Sequence, residues 1–328
     1  MMNKKIIIIL VLFFYCCDKT DEIDNLNRIY GCTDSSAVNF DLQANINDGS
    51  CEYLGCMDPQ SVNYDPVATI DDGNCLNETQ IHQGYRLFWN DEFNGDSLNL
   101  DYWNVELMHQ GAVNDEKQTY VNRPENLSID NGNLRIRAKK DNPFNPNQPG
   151  YTSARINTKE KIQLEHGYVE IRAKLPSGTG TWPAIWMLGG NIDSIGWPQC
   201  GEIDIMEHVG HNPDYVFFSI HNGAVSGNVS GTDQQGIYYA NNIEGEYHVY
   251  ALDWDSTYIR GYFDGQLYFE YLKSSSMNFQ RWPYDNSYFL ILNLAIGGEW
   301  GGQNGIDNTI FPTTFFIDYV RMFKKIDD

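Results

Sequence analysis

From Gly84 onward, polar and apolar residues alternate in short runs, as in strands with one face on a core and the other in water. Tyr168-Val169-Glu170-Ile171-Arg172-Ala173-Lys174-Leu175 alternates without a fault, and Leu134-Arg135-Ile136-Arg137-Ala138 does the same. Tyr258 to Phe263 and Gln266 to Tyr271 flank Asp264-Gly265, a two-residue hairpin signal. Phe289 to Ile296 and Phe315 to Met322 are expected as further strands. No amphipathic run supports a helix longer than about three turns. Many short strands with turn residues between them, over roughly 240 residues, predict an all-β fold: one large sandwich of two antiparallel sheets.

One predicted strand breaks the pattern. Cys200-Gly201-Glu202-Ile203-Asp204-Ile205-Met206-Glu207-His208-Val209-Gly210 places three carboxylates in an otherwise apolar run. Unpaired acids are costly in such a strand, so their concentration there points to use. Side chains alternate faces, so Glu202 and Asp204 point the same way and Glu207, five residues after Glu202, falls on the opposite face. A β-bulge near Ile205-Met206 adds one residue and returns Glu207 to the face of the other two. The expectation is a bulged strand presenting three acids into a cleft.

Composition narrows the partners. The net charge is −22, from 44 acidic and 22 basic residues. That excludes nucleic acid and anionic membrane surfaces as natural partners; the acidity keeps the protein soluble and leaves room for calcium. Aromatic residues make up 14% of the chain, and Trp and Tyr rings are faces on which sugars stack.

The N-terminus is read as a targeting segment, residues 1–17. Lys4 and Lys5 precede an apolar run from Ile6 to Tyr15, too short to span a bilayer, which ends at Cys16-Cys17. The pattern resembles a bacterial lipoprotein signal, with Cys17 or Cys16 lipidated; a plain signal peptide and a secreted protein are the alternative. Two repeats follow within residues 24–80, at a constant offset that maps Cys32 to Cys56 and Cys51 to Cys75. They hold too few apolar residues for a core of their own, and their symmetry favours the bridges Cys32–Cys51 and Cys56–Cys75. Asp41, Asp48, Asp65, Asp71 and Asp72 are candidate calcium ligands. The units resemble the Asp-rich, thrombospondin-type-3-like repeats that serve as spacers in secreted bacterial proteins. The odd cysteine, Cys200, is expected as a small buried thiol. Glu207-His208-Val209-Gly210-His211 lacks the His-Glu-x-x-His helix of a metalloprotease, which argues against zinc.

Two carboxylates on a cleft floor are the minimum for hydrolysing a glycosidic bond, one attacking the anomeric carbon and one protonating the leaving oxygen. Glu202 and Glu207 can tilt toward each other across Asp204, which favours retention over inversion. Gly201-Glu202-Ile203-Asp204-Ile205-Met206-Glu207 resembles the signature of glycoside hydrolase family 16, in the bulged form of laminarinases (endo-β-1,3-glucanases). Further matches are Trp89-Asn90-Asp91-Glu92-Phe93, Arg123-Pro124-Glu125-Asn126-Leu127, Thr181-Trp182-Pro183-Ala184-Ile185-Trp186-Met187, Asn293-Leu294-Ala295-Ile296-Gly297-Gly298 and Phe316-Ile317-Asp318-Tyr319-Val320-Arg321. They spread over residues 84–325, the expected catalytic domain.

The resemblance implies a concanavalin A-like jelly roll with a concave cleft. It implies Glu202 as nucleophile, Glu207 as acid/base and Asp204 as their auxiliary. Trp182, Trp186 and Trp300 become cleft residues, though four-residue spacing also allows one core and one cleft residue for Trp182 and Trp186. Asn114, Glu116 and Arg123 become polar substrate contacts, and His221 the cleft histidine near the acid/base. Glu92, the Gly132 carbonyl and Asp318 become a structural Ca2+ site away from the chemistry, with no catalytic cofactor. The expected protein is an exported, monomeric enzyme that cleaves β-1,3-glucan and takes mixed-linkage β-1,3-1,4-glucan as a second substrate. The alternatives are an algal galactan as substrate and a non-catalytic glucan-binding protein.

Overall fold

Two antiparallel sheets carry most of the chain from Tyr85 onward, beside one parallel pair, Gln118–Tyr120 with Tyr151–Ser153. The computed structural model describes residues 28–61, 64–73, 75, 82, 84–141, 150–224 and 234–326. The front sheet has seven strands, in the order Gln234–Tyr239, Tyr215–His221, Glu202–Glu207, Thr181–Gly189, Tyr288–Ile296, Arg155–Asn157 and Asn104–Val105. The back sheet runs Gln266–Leu272, Tyr258–Phe263, Tyr247–Trp254, Gly167–Lys174, Thr313–Lys325, Leu134–Ala138 and Leu127–Ile129, and Tyr85–Asp91 also pairs with Thr313–Lys325. Among the described residues the helices are two single turns, Ile192–Ile195 and Gly298–Gly301.

The core lies between the sheets. Val169, Ile171 and Ala173 point inward from the back sheet, and Leu290, Leu292, Leu294 and Ile296 from the front; all are fully buried. Tyr288–Ile296 is buried at every position, because its outward residues lie under the walls of the cleft. The Asp264-Gly265 hairpin forms with φ of 46° and 76°, the left-handed pair its two-residue turn requires. One alternation hides a buried charge. Glu170, polar by pattern, is 7% exposed, covered by His82 Nε2 at 2.9 Å and Arg321 Nη1 at 3.4 Å.

Each repeat folds around a short parallel pair, Tyr30–Gly31 with Ile46–Asn47 and Leu54–Gly55 with Ile70–Asp71. Disulfides join Cys32 to Cys51 and Cys56 to Cys75. Asp41, Asp48, Asp65 and Asp71 each accept the backbone N–H two residues on, so these carboxylates cap the repeats' turns. Asn94 reaches from the sandwich to the second repeat, its Nδ2 donating to the Gly73 carbonyl at 2.8 Å. Cys200 is a buried free thiol. Cys16, Cys17 and the whole targeting segment lie outside the described residues; among those described, no helix is long and apolar enough to cross a membrane.

Candidate active site

The acid strand is bulged where its sequence requires. Opposite the strand Thr181–Gly189, Glu202 pairs with Leu188, Asp204 with Trp186, Met206 with Ile185 and Glu207 with Ala184, which leaves Ile205 as the extra residue. On the other side Glu202 faces His221, Asp204 faces Ser219 and Glu207 faces Phe217. Ile205 and Met206 are consecutive, yet both are fully buried in the core between the sheets. Two successive inward side chains reset the alternation, and Glu207 returns to the face of Glu202 and Asp204.

All three acids line a cavity of about 370 Å3 on the front sheet. Gly201, at φ 81°, leads the chain into this strand where a Cβ would lie 2.0 Å from the Tyr288 hydroxyl. Across the cleft Gly298, at φ 80°, leaves room for the Asn114 carbonyl, 2.9 Å from where its Cβ would stand, and for the Trp182 ring. Trp182 Nε1 donates to Glu207 Oε1 at 3.0 Å, and Trp197 Nε1 donates to Glu202 Oε2 at 2.8 Å. Each outer acid is therefore held by one indole from a different wall.

Electrostatics follow from crowding three carboxyls in a poorly hydrated cleft. Burial, then the Asp204 charge, pushes Glu202 up to about 8, against the opposing pull of His221 and the Trp197 hydrogen bond. Burial pushes Glu207 up to about 7, with the Trp182 hydrogen bond and His221 pulling the other way. Asp204 is raised well above the carboxylate range by burial and then by the charge of Glu207. Each acid thus raises the proton affinity of a neighbour, Asp204 that of Glu202 and Glu207 that of Asp204.

Trp182, Ala184, Trp186 and Leu188 all project into the cavity, so both tryptophans sit on the cleft side. Asn114 and Glu116 also line it. Glu116 is buried and accepts from Gln118 Nε2 at 2.6 Å and the Tyr120 hydroxyl at 3.1 Å. His221 Nε2 lies 3.1 Å from Asp204 Oδ2 and 4.0 Å from Glu202 Oε1, so its close partners are on the Glu202 side rather than at Glu207. Trp300 stands edge-on to Trp182 at 5.6 Å and to Phe217 at 4.9 Å, buttressing the cleft wall. Arg123 is a correction: it does not line this cavity, because its guanidinium is engaged by Asp141 at 2.9 Å and by Asn126 at 3.3 Å.

Trp197, Arg155 and Asn293 bring polar or aromatic groups to the cavity to which the sequence assigns no role. Trp197 is legible only as an aromatic five residues before the first acid. Arg155 lies 4.8 Å over the Trp186 ring, and Asn293 accepts from Trp186 Nε1 at 2.8 Å. Both come from strands distant in sequence, although Asn293 opens the Asn293-Leu294-Ala295-Ile296-Gly297-Gly298 motif.

Among the described residues, one group of three acid and histidine side chains comes close enough to share a metal ion. The ligand atoms of Glu202, Asp204 and His221 all lie within 4.8 Å of one another. Glu92, Gly132 and Asp318 sit on the back sheet side. Arg321 forks onto both Glu92 oxygens at 2.8 Å, and Arg172 pairs with Asp318. Asn94 Oδ1 stands 3.4 Å from where a Cβ on Gly132 would be, and the Tyr247 hydroxyl donates to Asn133 while its ring carries Arg172. The His208 ring is spoken for, with Nδ1 on the Tyr215 carbonyl at 2.8 Å and Nε2 on Glu244 at 3.0 Å, so the His208/His211 pair is no zinc site.

The family model described as "Glycosyl hydrolases family 16" matches residues 114–321. Over 251 residues the chain is 39% identical to the beta-glucanase of Rhodothermus marinus, covering 74% of this chain and 86% of that one. It is 35% identical over 252 residues to the keratan-sulfate endo-1,4-beta-galactosidase of Sphingobacterium multivorum, covering 76% of this chain and 58% of that one. The laminarinase structure from Flavobacterium sp. UMI-01 aligns with TM-score 0.66 at 40% identity, covering 73% of this chain and 100% of that one. The laminarinase structure from Rhodothermus marinus aligns with TM-score 0.70 at 38% identity, covering 74% and 98%. A fold of two antiparallel sheets, three acids on one bulged strand, and these likenesses together show that the chain belongs to glycosyl hydrolases family 16.

Proposed function

We propose that this protein is an endo-acting β-1,3-glucanase that works with retention, taking mixed-linkage β-1,3-1,4-glucan as a second substrate. The observation that carries this reading is the placement of Glu202 and Glu207 on one face of one cavity, with Asp204 between them and an indole N–H on each outer acid. The likeness to β-glucanases and laminarinases supplies the sugar.

The residues divide the work as follows. Glu202 attacks the anomeric carbon and Glu207 protonates the departing glycosidic oxygen; water then enters with Glu207 as base and releases the sugar from Glu202. In the free cleft both acids hold protons to near neutral pH. Substrate separates them, because positive charge developing at the anomeric carbon favours ionised Glu202, while the glycosidic oxygen takes the Glu207 proton. Asp204, between them with His221 Nε2 at 3.1 Å, orients Glu202, whose proton passes to solvent as it ionises. Trp182 and Trp186 offer ring faces to the sugar, and Asn114, Glu116, Arg155 and Asn293 offer hydrogen-bonding groups for its hydroxyls.

A β-galactan is the second reading, favoured by the likeness to the galactosidase of Sphingobacterium multivorum. A panel of laminarin, mixed-linkage glucan and galactans with linkage analysis of the products separates the two. Laminarin is expected to be cleaved fastest, and cleavage of galactan alone would overturn the glucan reading.

Two further proposals concern what surrounds the cleft. Residues 1–17 and the two disulfide-bonded repeats support an enzyme exported, tethered through lipid at Cys17 or Cys16, and held off the envelope by a spacer. Two carboxylates and a carbonyl are the hard oxygen ligands that suit a cation such as Ca2+ at Glu92, Gly132 and Asp318. The cation would add a third party to the charges that Arg321 and Arg172 already balance, bracing the back sheet and taking no part in catalysis.

Glu202→Gln is expected to abolish turnover while leaving glucan binding in place, and Glu207→Gln to lower kcat by about 10^2–10^4-fold as the acid is lost. Retained hydrolysis by Glu202→Gln would contradict the assignment. The same variant reads the electrostatics. A carboxyl raised in the folded state holds its proton more tightly folded than unfolded. Its stabilising contribution is full below the ordinary Glu value of 4.5 and is lost as pH climbs toward about 8. Glu202→Gln escapes that loss, so its Tm is expected to match the wild type at pH 4 and exceed it at pH 8. Each tenfold difference in proton affinity between the folded and unfolded chain is worth about 1.4 kcal/mol there. A constant difference across that range would show that Glu202 is not desolvated. Chelation is expected to lower Tm in the wild type and to leave an Asp318→Ala variant unmoved; unchanged wild-type melting would remove the cation.

A further inference from the structure

The cleft face of the front sheet continues past the acids. Register places side chains in rows that cross the strands: Glu207, Phe217 and Ile237 form one row, and Asp204, Ser219 and Gln235 another. Tyr215 and Tyr239 pair one step further along, on the same face, since Val216, Phe218 and Tyr238 occupy the alternate positions toward the core. Gln234–Tyr239 is the edge strand, two inter-strand spacings or roughly 10 Å from the acid strand.

This edge is unusual in its composition. Edge strands are commonly protected by charges, yet Gln234-Gln235-Gly236-Ile237-Tyr238-Tyr239 carries none. Its outward residues are apolar and open: Ile237 is 55% exposed, Tyr239 58% and Tyr215 on the neighbouring strand 38%. The Tyr215 and Tyr239 rings lie 5.3 Å apart, a joined aromatic surface. That surface runs into the cleft without a break. Ile237 adjoins Phe217, Phe217 packs on Trp300, and Trp300 packs on Trp182, whose indole holds Glu207. Gln235, whose Nε2 donates to Ser219 Oγ at 3.2 Å, supplies a polar amide beside the apolar strip.

We propose that Tyr215, Ile237 and Tyr239 form an outlying subsite that binds distal sugar units of the same β-glucan chain whose bond is cut between Glu202 and Glu207. The proposal rests on the glucan reading above. The occupant follows from continuity: a polymer lying across the strands from Trp182 over Trp300 and Phe217 reaches the edge strand within a few sugar units. Pyranose rings present apolar C–H faces to tyrosine and hydroxyls to a glutamine amide, and an uncharged strip suits an uncharged polymer. Short oligosaccharides end before the strip, so it contributes only when the chain is long.

The test compares Tyr239→Ala/Ile237→Ala with wild type on long β-1,3-glucan and on a short β-1,3-linked oligosaccharide, with Tm recorded for both proteins. Both positions are more than half exposed, so the sandwich is expected to keep its melting temperature. The proposal expects the KM for the polymer to rise about fivefold or more relative to that for the oligosaccharide, the size of effect that losing aromatic contacts produces. An unchanged ratio would overturn it, as would equal losses on both substrates. A wild-type dimer that the variant converts to monomer would assign the strip to self-association instead and also overturn it. Wild-type protein inert on both glucans would instead overturn the glucan reading, which separates the two failures.

Discussion

The cleft depends on burying Ile205 and Met206 side by side. Two adjacent apolar side chains turned into the core are each worth about 1.5–3 kcal/mol relative to exposure, and no regular strand can turn both inward. The chain resolves the conflict with one unpaired residue, and that residue sets the phase of everything after it. Glu207 faces the cleft because Met206 faces the core. The stability of the sandwich and the geometry of the acids are thus one constraint, imposed by the hydrophobic effect on a strand of six residues.

The second constraint is electrostatic. Three carboxyls on neighbouring cleft positions cannot all be ionised in a poorly hydrated site, so the protein holds them partly protonated and surrounds them with donors. Trp182 and Trp197 reach the outer two from opposite walls, and His221 approaches the middle one. The raised affinity for protons is a cost to folding at neutral pH, and it is also what equips Glu207 to deliver a proton where a free glutamate would already have lost it. Glycines at 201 and 298 let the backbone approach closely enough to build these walls.

Much of this is legible in the chain, and what is hidden has a physical reason. Alternation identifies strands with one wet face, such as Leu134–Ala138, because period two is imposed by the backbone itself. The five-residue gap from Glu202 to Glu207 reveals the bulge because a regular strand would misdirect one acid. Repeat symmetry favours the two disulfides that form. Arg155 stays silent in the sequence, and Asn293 shows only as the first residue of a motif, because their roles lie in Trp186, brought near only by strand pairing. Arg123 is misplaced by its motif because the sequence does not show Asp141 as the acid that claims its guanidinium. Glu170 alternates as a surface residue should, while its burial depends on His82 from before the sandwich and Arg321 from its last strand.

The bulge turns Glu202 and Glu207 into one cavity, where the two can flank a scissile bond. Separations of about 5–5.5 Å give retention and about 6.5–9.5 Å leave room for a water and give inversion, so the stereochemistry of the product reports the geometry. The measurement is proton NMR of laminarin hydrolysis in its first minutes, before mutarotation mixes the anomers. A new reducing end that appears first as the β-anomer is the predicted result. An α-anomer appearing first would contradict it.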